Sequence, residues 1–155
     1  MPFRVSGLNP EPFCHLYGLS EAQLLAQGAR RYTVDKTPGF PDRIELRDLA
    51  PGETALLVNY THQAADTPYR ASHAIFVREG AQKCVSVIDE IPEVMQRRML
   101  SLRAFDAAHM MVDATLVDGR QARETVERLL SNDSVAYIQA HYAQRGCYAA
   151  RIERE

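Results

Sequence analysis

Leu57-Val-Asn-Tyr-Thr-His-Gln-Ala-Ala-Asp-Thr-Pro-Tyr-Arg-Ala-Ser-His-Ala-Ile-Phe-Val77 is the stretch on which the fold assignment turns. Its flanks, Ala55 to Tyr60 and Ala74 to Val77, are apolar and rich in residues that suit a pleated, buried surface. Between them stand His62, Asp66, Tyr69, Arg70, Ser72 and His73, polar groups that two strands would present on a rigid scaffold. In the first flank Leu56 and Val58 share one face and Leu57 takes the other, so both faces are apolar and a mid-sheet strand is predicted. In the second, His73 shares a face with Ile75 and Val77. An imidazole aimed at an apolar face must find a hydrogen-bond partner or lose its charge.

Toward the N-terminus, residues 3 to 7 suit a short strand, and Leu19-Ser-Glu-Ala-Gln-Leu24 reads as a helix start. Ser20 is the N-cap, Gln23 the reciprocal cap three residues on, and Leu19 against Leu24 the hydrophobic staple. Gly28 is placed to end that helix. Strands are predicted at Arg31 to Val34 and Arg43 to Leu46, separated by the turn Lys36-Thr-Pro-Gly-Phe-Pro41.

Toward the C-terminus, Glu79-Gly80-Ala-Gln82 reads as a turn pairing the His73 strand with Cys84 to Ile88 as a hairpin. Pro92 suits the first turn of a helix running to about Leu100, with Arg97 and Arg98 near its C-terminal end. Ser101 to Val117 reads as two strand segments interrupted near Asp106 and Ala107. In the second, Met110, Val112, Ala114 and Leu116 form a core face opposite His109, Asp113 and Thr115. His109 and Asp113 lie four apart on that strand, too far for a direct hydrogen bond. Ala122, Val126, Leu129 and Leu130 then follow helical spacing behind Asp118 and Gln121, an amphipathic helix docking on the sheet. Val135 to Tyr142 and Cys147 to Ile152 close the chain as a hairpin through Ala143-Gln-Arg-Gly146.

The expected architecture is a single α+β domain over residues 1–155, a mostly antiparallel sheet with about three helices packed on it and a C-terminal β-hairpin. With 155 residues, 46% hydrophobic and 25% charged, the chain is large and apolar enough to bury a core. A formal charge of -2, with basic residues spread along the sequence, gives no footprint for a nucleic acid backbone or an anionic membrane. No apolar run has the length of a membrane span or a secretory leader, so a cytoplasmic location is expected.

The candidate chemistry follows from residue types. Arg103 sits between apolar residues, and a guanidinium drawn to a sheet surface needs a carboxylate or an anionic ligand. With Arg70, and with Tyr69, Ser72 and His73 as orienting hydrogen-bonders, it makes a candidate ligand-binding set. An enzymatic alternative takes His73 or His141 as base, Cys147 as nucleophile, and Asp66 or Asp106 as the group orienting the imidazole. A four-residue loop at 143–146 would oppose Tyr142 to Cys147 and His141 to Tyr148, placing thiol and imidazole on opposite faces; a five-residue loop or a bulge would bring them together.

The other two cysteines, Cys14 and Cys84, read with Cys147 as small apolar residues, since three at wide spacings make neither a disulfide framework nor a metal knuckle. The histidines show no metal-ligand spacing, so no metal is assigned, and the sequence implies no cofactor.

Three segments resemble a known family. His73-Ala-Ile-Phe-Val-Arg-Glu-Gly80, Leu102-Arg-Ala-Phe-Asp106 with Met110-Met-Val112, and Gly146-Cys-Tyr-Ala-Ala-Arg151 are similar, in this order, to the bacterial domain of unknown function 1203. The resemblance implies a stand-alone bacterial domain and supplies no activity. It marks Tyr69-Arg70-Ala-Ser72-His73 and Gly146-Cys-Tyr148 as characteristic stretches. The chain departs from the family pattern at Asp42, where a cysteine is common, and at Gln144-Arg145, where a lysine-proline pair is frequent. A mechanism that needs a thiol at position 42 is therefore not available to it.

The function expected from the sequence is binding of a small anionic molecule in an Arg/His/Tyr-lined pocket. The alternatives are a Cys/His-dependent hydrolase- or transferase-like enzyme, and an interaction protein without chemistry whose apolar sheet face forms a homodimer.

Overall fold

The computed structural model describes all residues, Met1–Glu155. Strands dominate it. Eleven strands, β1 (Phe3–Ser6), β2 (Arg30–Thr33), β3 (Pro41–Asp42), β4 (Arg47–Asp48), β5 (Thr54–Gln63), β6 (Ala71–Arg78), β7 (Ser86–Ile88), β8 (Met99–Phe105), β9 (Met111–Asp118), β10 (Tyr137–Tyr142) and β11 (Cys147–Arg154), stand against three short α-helices. The helices are α1 (Glu21–Ala26), α2 (Glu93–Gln96) and α3 (Ala122–Leu130), with 3-10 turns at Glu11–Leu16 and Gly119–Gln121. The expected α+β domain is thus mostly sheet.

Nor is there one sheet. Six strands run in the order β7-β1-β11-β10-β8-β9, three in the order β2-β5-β6, and β3 with β4 makes a two-stranded ribbon. Every pairing is antiparallel. β5 is central in the small sheet, as its two apolar faces predict.

Two cores result. One face of the large sheet, with Leu102, Ile138, Ala140 and Ile152, packs against Val94 and Met95 of α2 and against Val126, Leu129 and Leu130 of α3. The small sheet buries Leu56, Val58, Ile75 and Val77 against Phe13, Leu16 and Leu24, and this cluster reaches the large sheet at Tyr148. The α3 pattern is the one its helical spacing predicts, with all four periodic residues buried. At α1 the capping box forms: the Ser20 hydroxyl accepts from the Gln23 N–H, and Gln23 Oε1 accepts from the Ser20 N–H. Beyond it Gly28 has φ 72, the left-handed conformation that a helix stop needs.

Several elements differ from the sequence reading. Arg43 to Leu46 is not a strand but a buried turn between β3 and β4. Asp42 organises it by accepting the Glu45 and Arg78 N–H groups, and the Arg43 guanidinium is spent on the carbonyls of Pro41 and Tyr148 and on Cys147 Sγ.

That turn also removes the predicted hairpin between β6 and β7. The Arg43 N–H donates to the Phe76 carbonyl and Asp42 takes the Arg78 N–H, so the outer edge of β6 is occupied and β7 pairs with β1 instead. The helix after Pro92 is a single turn, because Met99 and Leu100 are already strand residues pairing with β9 and β10.

On β9 the core face is reversed. Val112 is 43% and Leu116 64% exposed, whereas Val117 packs on the α3 side. β9 is the outermost strand, and the small sheet does not extend over it, so Ala114 and Leu116, opposite Arg103 and Ser101, remain open. No helix is long and apolar enough to cross a membrane.

Candidate functional site

The second face of the large sheet carries polar and aromatic side chains in two cross-strand rows. Arg103, Gln139 and Arg151 are directly opposed across β8, β10 and β11, and Ser101, His141 and Tyr148 form the next row. Residues opposed in a ladder share a face, and so do Gln139 and His141, two apart on β10. A chain of perfect alternation would nevertheless send Tyr148 and Arg151 to opposite faces, being three apart. They share one because β11 bulges: Ala150 pairs with Ala140 and Tyr148 with His141, leaving Ala149 as the extra residue.

A second bulge serves the same site from the small sheet. Thr61 pairs with Ser72 and Gln63 with Ala71, so His62 is the unpaired residue of β5. This break in alternation lets two consecutive side chains reach β10. His62 Nδ1 lies 2.9 Å from Gln139 Oε1, and Gln63 Nε2 donates to the Tyr137 hydroxyl at 2.9 Å. Gln139 Nε2 donates to the His62 carbonyl at 2.7 Å. The His62 ring stacks on Tyr148, with 5.8 Å between centroids and 10° between planes, and meets His141 edge-on at 4.7 Å.

Between the sheets a cavity of about 180 Å³ is lined by Tyr60, His62, Gln139, Tyr148 and Arg151, with Ser6 to Asn9 as its rim. None of its lining residues is acidic. Burial raises the pKa of both Tyr60 and Tyr148, the nearby Tyr60 hydroxyl raising that of Tyr148 further and Arg151 acting against the rise at each. Arg151 lies over the Tyr137 ring at 4.0 Å and shares its Nε with Glu153 at 3.1 Å.

Burial lowers the pKa of His62, and Arg103 and His73 lower it further against the raising effect of the Gln139 bond. His141 is fully buried, and desolvation first, then Arg103, hold it down at about 3. His141 is thus a neutral ring inside the wall of the site, not a group in contact with solvent.

The sequence-derived candidates divide. His73, Arg103 and His141 gather around His62, each close enough to influence its neighbours' charge. Arg103 is half-buried, with one side-chain hydrogen bond, to Ser101 Oγ at 3.2 Å, and desolvation lowers its pKa. Tyr69 meets Phe105 edge-on at 6.1 Å, near the far end of the same face.

Arg70 stands apart, exposed, its guanidinium donating to the Ala64 carbonyl, and Ser72 is exposed on the side of β6 opposite His73. Asp106 caps the β8–β9 turn through the N–H groups of Ala108 and Met110 and orients no imidazole. Cys147 packs in the α3-side core and receives Arg43, across the sheet from His141, as the four-residue-loop register requires. The β11 bulge falls beyond both residues and does not bring them together.

Gln139, Tyr60 and Arg151 were not among the residues singled out from the sequence, whereas His62 stood among the polar groups of the deciding stretch and Tyr148 in a segment of the family resemblance, neither with a role. Part of the signal was legible. Gln139 and His141 alternate inside Tyr137-Ile-Gln-Ala-His-Tyr142, an otherwise apolar strand, and mark one polar face. Tyr148 and Arg151 were hidden by the bulge, which no local pattern announces.

Residues 39–154 match the family model described as protein of unknown function (DUF1203), and the chain belongs to that family. The matched span contains the whole cleft except its Ser6 to Asn9 rim. No curated protein and no solved structure matches the chain.

Proposed function

We propose that this DUF1203 protein binds a small anionic molecule, a carboxylate or phosphate, in the cleft between its two sheets. The observation that carries the reading is the lining: Arg151, which shares only its Nε with Glu153, together with Tyr60 and Tyr148, and no acidic residue. Hydrogen-bond donors gathered at a concave, partly desolvated site are the means by which proteins hold oxyanions. Arg103, on the other side of Gln139 and without an acidic partner, adds positive potential to the same face. Arg103 and His73, expected from the sequence to bind the ligand directly, do not line this cleft, and in this reading the direct contacts belong to Arg151 and the two tyrosines.

Isothermal titration of the protein with inorganic phosphate and with succinate at low ionic strength tests this. One-to-one binding of at least one of them is expected, weakened about tenfold or more in Arg151→Gln, since a charge-assisted pair is worth upward of about 1.4 kcal/mol. Absence of binding at millimolar concentration, or equal binding by the variant, overturns the reading.

A further inference from the structure

We infer that the cleft selects oxyanions that carry their own hydroxyl donor, such as hydrogen phosphate or a hydroxycarboxylate, because His62 presents a lone pair to the ligand through Nε2. This rests on the anion-binding reading above and adds the ligand class.

The tautomer follows from the Gln139 amide. The His62 carbonyl can only accept, so the amide edge 2.7 Å from it must be the Nε2 donor. The other edge, Oε1, then faces His62 Nδ1 at 2.9 Å and can only accept, which places the ring proton on Nδ1. In a neutral ring Nε2 is left as an acceptor. No hydrogen bond within the protein uses it, and His62 lines the cavity.

The ring is also held. Stacking on Tyr148 and the edge contact with His141 fix its plane, and the Gln139 pair fixes its rotation. Burial, with Arg103 of β8 and His73 of β6, disfavours the imidazolium, and His141 of β10 is uncharged; Arg151 of β11, beside the cleft, is paired with Glu153 of the same strand. Tyr60 and Tyr148 remain protonated donors.

The cleft therefore offers three donor groups and one acceptor. A ligand with anionic oxygens for Arg151, Tyr60 and Tyr148 and an O–H for His62 satisfies all four. A fully deprotonated oxyanion such as sulfate sets an oxygen lone pair against that of Nε2. Sites with a committed hydrogen-bonding group reject ligands that lack its complement.

The experiment compares two matched pairs by isothermal titration near pH 7.5: inorganic phosphate against sulfate, and glycolate against acetate. A preference of about tenfold or more for the hydroxyl-bearing member of either pair is expected. It should shrink as the pH falls and His62 takes a proton on Nε2, with sulfate gaining affinity. In His62→Asn, whose amide still reaches Gln139 from the Nδ1 position but offers nothing at Nε2, the preference should vanish, phosphate weakening about tenfold toward the affinity of sulfate.

Equal affinity within both pairs, or a preference retained by the variant, overturns the inference and leaves the anion-binding reading standing. Absence of binding by all four anions overturns the inference, and absence of succinate binding as well overturns both. Should the variant fail to fold, the two wild-type pairs alone decide.

Discussion

Gln139 holds His62 twice, accepting from its ring Nδ1 at 2.9 Å and donating to its backbone carbonyl at 2.7 Å across 77 residues of sequence. One amide thereby joins the two sheets and sets the protonation pattern of the ring beside the cleft. Both groups are removed from most solvent, so loss of the amide strands a carbonyl as well as an imidazole. In Gln139→Leu a loss of about 1–3 kcal/mol in urea-unfolding free energy is expected. In Gln139→Glu the new carboxylate should raise the His62 pKa, read from the ring proton shifts by NMR, and weaken anion binding; an unmoved His62 titration would show that the two side chains are not paired in solution.

His141 gives the fold a pH dependence. The folded protein keeps this ring neutral down to about pH 3, whereas the ordinary value for an unfolded chain is 6.5. Below 6.5 the unfolded state binds more protons, so stability falls as pH drops from 6.5 toward 3, by about 1.4 kcal/mol per pH unit within that window. The lowered pKa of His62 acts in the same direction. Unfolding midpoints measured across this range should show the slope, and His141→Asn should flatten it.

The three thiols should divide by burial. Cys14 and Cys84 are exposed and Cys147 is buried, with Sγ receiving the Arg43 guanidinium. A thiol reagent at neutral pH is expected to modify two cysteines promptly and the third only after denaturant is added. Prompt modification of all three would place Cys147 at the surface.

Gly7, on the rim of the cleft, has no room for a side chain. A Cβ there would lie 2.2 Å from the Ile44 carbonyl oxygen and 3.0 Å from that of Arg43, both backbone atoms of the buried turn. Gly7→Ala should cost about 1–3 kcal/mol, measured by chemical unfolding, and should weaken phosphate binding by displacing the rim. An unchanged midpoint would mean that the turn yields without cost.

Local chemistry determined what the sequence could show. The Ser20–Gln23 box, the α3 stripe, the apolar faces of β5 and the 143–146 loop rest on interactions a few residues apart or on strict periodicity, and each is present as read. Arg103 and His73 were each legible as polar side chains among apolar neighbours, but the sequence placed His141 in a separate catalytic alternative and did not join it to them.

Tertiary structure alone decided the rest. The division into two sheets, the Arg43 turn that takes the edge of β6 and the exposure of β9 depend on partners far away in sequence. The cleft itself hangs on two single-residue bulges, at His62 and at Ala149. An added residue reverses every later side chain across a sheet, and its position is fixed by which strands pair and where, a long-range free energy that no local run of amino acids contains.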